Sequence, residues 1–523
     1  MLAYLSAAVA LSSTDNILVD PLLIAQVDEV WRVIGNDKNP VFPGWNARKT
    51  PVLIYFPGRQ DLLINHPHPP EGFHRYRGPI RSAIGPIYIK NGKTLLNSDG
   101  QNTSMKVGDV ETLVVADTLS TRRQWVESIA SEVAAKPDEA DKTIESSLFP
   151  NPYSQTLMFA HEAFHVFQFR AAPDKHPSEL ALGGYPSLSV ENNVGEALEA
   201  DALADAISRP ADPVKDRRAA LDWLSIREHR RKALTPAQVQ YEDSAEFVEG
   251  LAKYVELRTL QALKGRAPSH DMWLLQGFTG YDNLDPIRAG MIKSMRGFMN
   301  GHNIVNGDPY GSAGIRFRQY FSGMGIAAML DRIAPGWQPQ ILHRDVTLSS
   351  LVRDALKATP AELEEAWSRI AREPKVAELT AQKQDLADKG QAHIASSLAQ
   401  FDESPGELVI DYSAMGTEPK LGFTPFGVLR VDDHRYILRL VPISGGVGAF
   451  QFQETLVRPV LHDTVARTLR IQLPAIPDSV KDQELRDQDW SVPGLTCHHV
   501  TGTLRREGRR VTLILATPHP FSY

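Results

Sequence analysis

His161-Glu162-Ala163-Phe164-His165 sets two imidazoles four residues apart, with a carboxylate directly after the first. On a helix, four residues span about 40° around the axis and about 6 Å along it. Both rings then face one side and can fill two corners of a zinc tetrahedron. Glu162 projects beside them. It is near enough to take a proton from a water that zinc has acidified, and badly placed to be the third ligand. With 16 histidines in 523 residues, chance produces the pattern about 0.03 times in such a chain, so coincidence explains it poorly. The flanks Leu157-Met-Phe-Ala160 and Val166-Phe-Gln-Phe169 are apolar and free of Gly and Pro, which predicts a buried helix over Ser154–Ala171. Two histidines and a glutamate among Phe, Met and Leu are costly to bury without a partner such as a metal.

A third ligand must come from elsewhere. Positions 168 and 171 are Gln and Ala, so the extended pattern with a third histidine on the same helix is absent. A carboxylate from a later helix is the remaining solution. One candidate is Glu199 in Gly195-Glu-Ala-Leu-Glu199; the other is Glu249 in Glu246-Phe-Val-Glu249-Gly250-Leu-Ala252-Lys-Tyr254-Val-Glu256. Glu249 is favoured because Gly250 and Ala252 let helices approach closely, and a glycine inside a helix usually has a packing reason. Glu246, one turn earlier, is a candidate for orienting a ligand.

The motif H-E-x-x-H followed by E-G-x-A-x-Y resembles the gluzincin group of zinc metallopeptidases. That resemblance covers roughly residues 155–260. It implies His161, His165 and Glu249 as zinc ligands, Glu162 as catalytic base, and a peptide or protein as substrate. One departure is the gap of 84 positions from His165 to Glu249, longer than in compact thermolysin-like members and holding helices of its own. Gluzincin sites often add a Tyr or His that steadies the oxyanion. Here Tyr310 and Tyr320 are the candidates, with His302 and Arg316 behind them; for either tyrosine, a helix-packing role competes.

Other polar clusters have plainer readings. His66, His68 and His74 lie among prolines that prevent a shared helix face, so a solvated loop is expected. Cys497-His498-His499 falls on a predicted strand, where neighbours face opposite ways. Arg227, Arg230, Arg231 and Lys232 read as a solvated helix face, with acidic residues of the same domain or a substrate carboxylate as alternative partners.

These residues need elements to carry them. Residues 20–120 hold β-branched and aromatic runs at 51–56, 86–90 and 110–115, separated by Pro, Gly and Asn, and are expected to be β-rich. From 121 to 371 the period turns helical, with helices expected at Leu119–Ala135, Val194–Ile207, Val214–Ala233, Pro236–Leu263, Phe317–Ile333 and Pro360–Ala371. Residues 372–404 are polar and read as a solvent-exposed helical connector. Residues 405–523 carry short alternating runs at 407–412, 427–431, 435–441, 468–473 and 510–515, the pattern of a sandwich or barrel. The fold class expected is therefore α+β: a mainly helical zinc domain, a mixed α/β region before it and a β-rich domain after it.

Composition bounds the function. A net charge of −7 argues against a dedicated nucleic-acid binder. No apolar run approaches the roughly 20 residues of a membrane span. The single cysteine, Cys497, forms no internal disulfide and excludes a cysteine-rich zinc site. Leu2–Leu11 is short and apolar and ends near Ala8-Val-Ala10, so residues 1–13 fit a signal peptide despite lacking a basic start. That reading gives a secreted or periplasmic protein; a first core segment of a cytoplasmic one is the other. The expected activity is hydrolysis of a peptide bond, endo or exo, by water activated through zinc and Glu162. Two rivals stand beside it: a zinc hydrolase of a non-peptide amide or ester, and a silent metal scaffold carrying a β binding module. Oligomeric state has no sequence signal.

Overall fold

The computed structural model describes residues 17–124, 126, 151–301, 310–424 and 427–516. The expected signal segment 1–13, His302 and most of the helix expected at Leu119–Ala135 lie outside these residues.

The chain is mixed α+β, with a helical region between two sheets. The first sheet contains β1 (Val52–Phe56), β2 (Gln60–Ile64), β3 (His74–Arg75), β4 (Ile87–Asn91), β5 (Thr103–Val107) and β6 (Val110–Ala116). Its order is β3-β4-β2-β1-β6-β5, antiparallel except for the parallel β1/β6 pair. Alternation along β1 explains why all five of its residues are buried. Val52, Ile54 and Phe56 enter the main core with the helices, whereas Leu53 and Tyr55 enter a small second core on the other face.

Against this sheet packs the helix Pro152–Ala171, which carries the histidines. Asn151 caps it by accepting from Tyr153 N, and Pro152 takes the first turn, where no donor is needed. Leu157, Phe159, Ala160, Ala163, Phe164 and Phe167 are buried around it, so the helix is internal, as its apolar flanks predict. Phe42, Trp45, Phe164 and Phe167 form an aromatic cluster that fixes its rotation.

Helices Pro21–Ile34, Val190–Ser208, Pro213–Arg231, Asp285–Met299, Ser312–Ile333, Leu348–Leu356 and Pro360–Ile370 pack with the histidine helix into one bundle. The stretch Pro236–Leu263 is continuous, as expected, but Glu246–Gly250 winds as a π turn. Leu251 N–H there bonds the carbonyl of Glu246, five residues back. Such widened turns concentrate at functional sites. Gly250 has its packing reason, though not toward the histidines: a Cβ there would stand 2.6 Å from the Cα of Gly323. The two glycines let Ser312–Ile333 lie directly on the π turn.

The connector is one helix, Pro374–Glu403. It is not solvated all round. Lys383, Ala387, Gly390, Ile394 and Phe401 form a buried stripe at helical spacing. Ile394 and Phe401 meet Leu429, Ile437 and Leu461 of the final sheet.

That final sheet has 11 strands. It is a single curled sheet. The reason is the 13-residue strand Leu495–Glu507. It pairs with the strand Phe450–Glu454 through Leu495–His498 and with the strand Arg510–Leu515 through Gly502–Glu507. A strand shared in this way joins both halves through one ladder. The expected strands at 407–412, 427–431, 435–441, 468–473 and 510–515 are all present within a few residues of those bounds.

Candidate metal centre

Among the described residues, His161, His165 and Glu249 are the group of three or more His, Cys, Asp or Glu side chains whose donor atoms converge. One donor from each lies within 4.8 Å of the others, and all three residues are buried. Glu249 Oε2 stands 3.4 Å from His161 Nε2 and 3.5 Å from His165 Nε2. Tetrahedral zinc with bonds of about 2.0–2.1 Å separates neighbouring ligand atoms by about 3.3–3.4 Å. The carboxylate oxygen therefore sits near a tetrahedron edge from each ring. It is buried and lies just beyond a well-formed hydrogen bond from either ring, a place where a cation would complete its bonding.

The two Nε2 atoms face that oxygen because the Nδ1 atoms are held from behind. His161 Nδ1 lies 2.9 Å from Glu256 Oε1, and Lys253 Nζ donates to the other oxygen of Glu256 at 2.7 Å. His165 Nδ1 lies 2.9 Å from Gln168 Oε1. The Gln168 amide then donates to the carbonyls of Phe247 and Val248, at 2.6 and 3.1 Å. These carbonyls belong to the π turn, so one side chain orients a ring and secures the turn that carries Glu249. Partners of this kind fix tautomer and ring direction in metal sites.

The electrostatics follow from this packing. Burial opposes charge on His161, but the Glu249 and Glu256 carboxylates outweigh it and raise its pKa to about 10. Burial likewise opposes charge on Glu249, yet the two imidazoles hold its carboxyl well below the usual range.

Glu162 is half-buried beside His161, one residue along the same helix. Tyr320 reaches the site: its ring stacks on His161 with centroids 5.8 Å apart. Burial, then the charge of Glu249, pushes its hydroxyl well above the ordinary value, so it stays a donor. Tyr310 does not reach the site. It packs on His393, with ring centroids 5.3 Å apart, and beside Gly390 of the connector helix. Arg316, behind the tyrosines in the sequence reading, donates from Nη2 to Glu249 Oε1 at 2.5 Å and also pairs with Glu179.

The structure places the other acidic candidates elsewhere. Glu199 accepts from Arg227 at 2.9 and 2.6 Å and from Arg230 at 2.7 Å, which occupies both of its oxygens. Glu246 accepts from Arg227 at 2.9 and 2.7 Å and from Ser322 at 2.5 Å, so it orients no histidine. Arg227 and Arg230 are only 1 % exposed. The face expected to be solvated is thus a buried ion cluster, completed by Glu242 and Asn192. His66 is also buried rather than solvated, its Nε2 being 2.9 Å from the Val107 carbonyl. His498 and His499 pair separately with Asp489 and Asp487.

Sequence reasoning missed Glu256 and Gln168 as supports. A signal existed: Glu256 lies seven residues, two turns, after Glu249, and Gln168 lies three after His165. Among the described residues, no helix is long and apolar enough to cross a membrane. Compared with known proteins, the chain matches no protein family, no curated protein and no solved structure.

Proposed function

We propose that this protein is a zinc-dependent hydrolase of peptide bonds, as its resemblance to gluzincins implies. The observation that carries the reading is the buried, unbonded Oε2 of Glu249 at 3.4 and 3.5 Å from two imidazole nitrogens. His161, His165 and Glu249 would hold the ion, and two nitrogens with one carboxylate oxygen make a donor set of the kind used at catalytic zinc sites. When bound, zinc acidifies water and polarises the scissile carbonyl. Glu162, adjacent but outside the ligand set, is the base that takes the proton and returns it to the leaving amine. Tyr320 supplies a protonated hydroxyl for the developing oxyanion. Glu256 and Gln168 keep the ring nitrogens of the histidines directed inward.

Metal analysis followed by a peptide-library digest, with and without chelator, tests the reading. One zinc per chain and chelator-sensitive cleavage are expected. Glu162→Gln should keep the zinc and lose turnover by about 100-fold or more. A protein without zinc, or a Glu162→Gln variant with full turnover, defeats it.

A further inference from the structure

We propose that Arg316 is a positioning residue that restricts Glu249 to one free oxygen, with Glu179 setting how strongly it pulls. The inference rests on the zinc reading above. A carboxylate with both oxygens available can close on a cation with both and fill the coordination position that a water or substrate needs. Here Oε1 is taken by Arg316 Nη2 at 2.5 Å, while Oε2 faces the rings. The other terminal nitrogen of Arg316 is on Glu179 Oε1. A planar guanidinium engaged at both ends is locked against rotation.

The backbone supports the same arrangement. Arg316, Tyr320 and Gly323 fall at i, i+4 and i+7, one stripe of the helix Ser312–Ile333. Gly323 fixes the height of that helix against the π turn, so the stripe arrives with Arg316 on one oxygen of Glu249 and Tyr320 on the ring of His161. Arg316 also draws charge out of Glu249, which weakens it as a donor and would leave a bound ion a stronger Lewis acid. Glu179 competes for the same guanidinium and moderates that draw.

The test uses the full chain with cobalt(II) in place of zinc, because the intensity of cobalt d–d absorption falls as coordination rises above four. Wild type is expected to give the intense four-coordinate spectrum. Arg316→Met should lose at least about half of that intensity, and Arg316→Lys should recover part of it. Glu179→Gln should keep the spectrum but bind zinc about tenfold more weakly in chelator competition. An unchanged cobalt spectrum in Arg316→Met, or unchanged zinc affinity in Glu179→Gln, overturns the inference and leaves the zinc reading standing. If Arg316→Met fails to fold by circular dichroism, Glu179→Gln decides by the same criterion. If wild type takes up neither metal, the zinc reading itself falls and this inference falls with it.

Discussion

Glu199 and Glu249 are both buried glutamates that spacing alone could assign to the metal, and a paired substitution separates them. Glu199 accepts three guanidinium hydrogen bonds at 2.6–2.9 Å from Arg227 and Arg230. Glu199→Ala leaves two arginines, each 1 % exposed, short of a counter-charge. Breaking a buried pair from one side costs about 3–5 kcal/mol. That is a large part of the roughly 5–15 kcal/mol that holds a typical domain together, so the urea midpoint should fall sharply. Yet Glu199 touches neither histidine, and the protein still folded at low urea should bind one zinc with wild-type affinity. Glu249→Ala should instead lose the metal, whatever its effect on the urea midpoint. It removes the only carboxylate oxygen facing both Nε2 atoms among the described residues, so zinc affinity should fall by more than about 100-fold, beyond what losing a supporting group does. The assays are urea unfolding followed by fluorescence, and zinc competition with a chromophoric chelator. If Glu199→Ala loses zinc with its unfolding midpoint intact, or Glu249→Ala keeps wild-type affinity, the assignment of ligand and ion-cluster roles is wrong.

Three further outcomes are expected. Glu256→Gln removes the charge behind His161 Nδ1 but keeps a hydrogen-bonding group of similar size, so zinc affinity should drop about 10–100-fold while circular dichroism stays unchanged; undiminished affinity would show that Glu256 does not support the ring. Gly250→Ala places a methyl 2.6 Å from Gly323 Cα and 2.9 Å from the Gln319 carbonyl. Both are backbone atoms that cannot swing aside, so overpacking should cost about 1–3 kcal/mol in urea unfolding, and a neutral result would contradict the close helix contact. Glu454 is buried in the final sheet, and its carboxyl is pushed up from 4.5 to about 7 by burial, against a hydrogen bond from Ile443 N and the charge of Arg458. The folded state therefore holds this proton more tightly than the unfolded one. Its contribution is fully present below about pH 4.5 and is lost as pH rises through about 7. Wild type should lose urea midpoint over that window relative to Glu454→Gln, and parallel curves for the two would refute the shift.

Much of the site was legible in the chain. The residues around His161 and His165 specify a buried helix and a shared ring face by periodicity alone. The glycine after Glu249 marks a close helix contact, though its partner, Gly323, could be found only in three dimensions. What periodicity cannot supply is the pairing of charges across helices. A run such as Arg227-Glu-His-Arg230-Arg231 reads as solvent-facing because isolated charges avoid burial. Only the folded chain brings Glu199, Glu242 and Glu246 to meet it. The same limit hid Arg316 behind Glu249 and Glu256 behind His161. In the final domain, alternation located strands but not the order in which they pair. On the connector helix, the buried stripe includes Lys383 and Gly390, residues that mask an apolar period.

The π turn has one more effect. In a regular helix, glutamates three apart lean toward the same side, where a single basic group could claim both. The wider winding at Glu246–Gly250 sends Glu246 to a neutralised arginine nest and Glu249 to the imidazoles. One short stretch of backbone thus segregates a carboxylate whose demand is met by arginines from one that, on the proposed zinc reading, would stay receptive to an arriving ion. Tightening those five residues would bring the two carboxylates to one side, where Arg227 would compete for both.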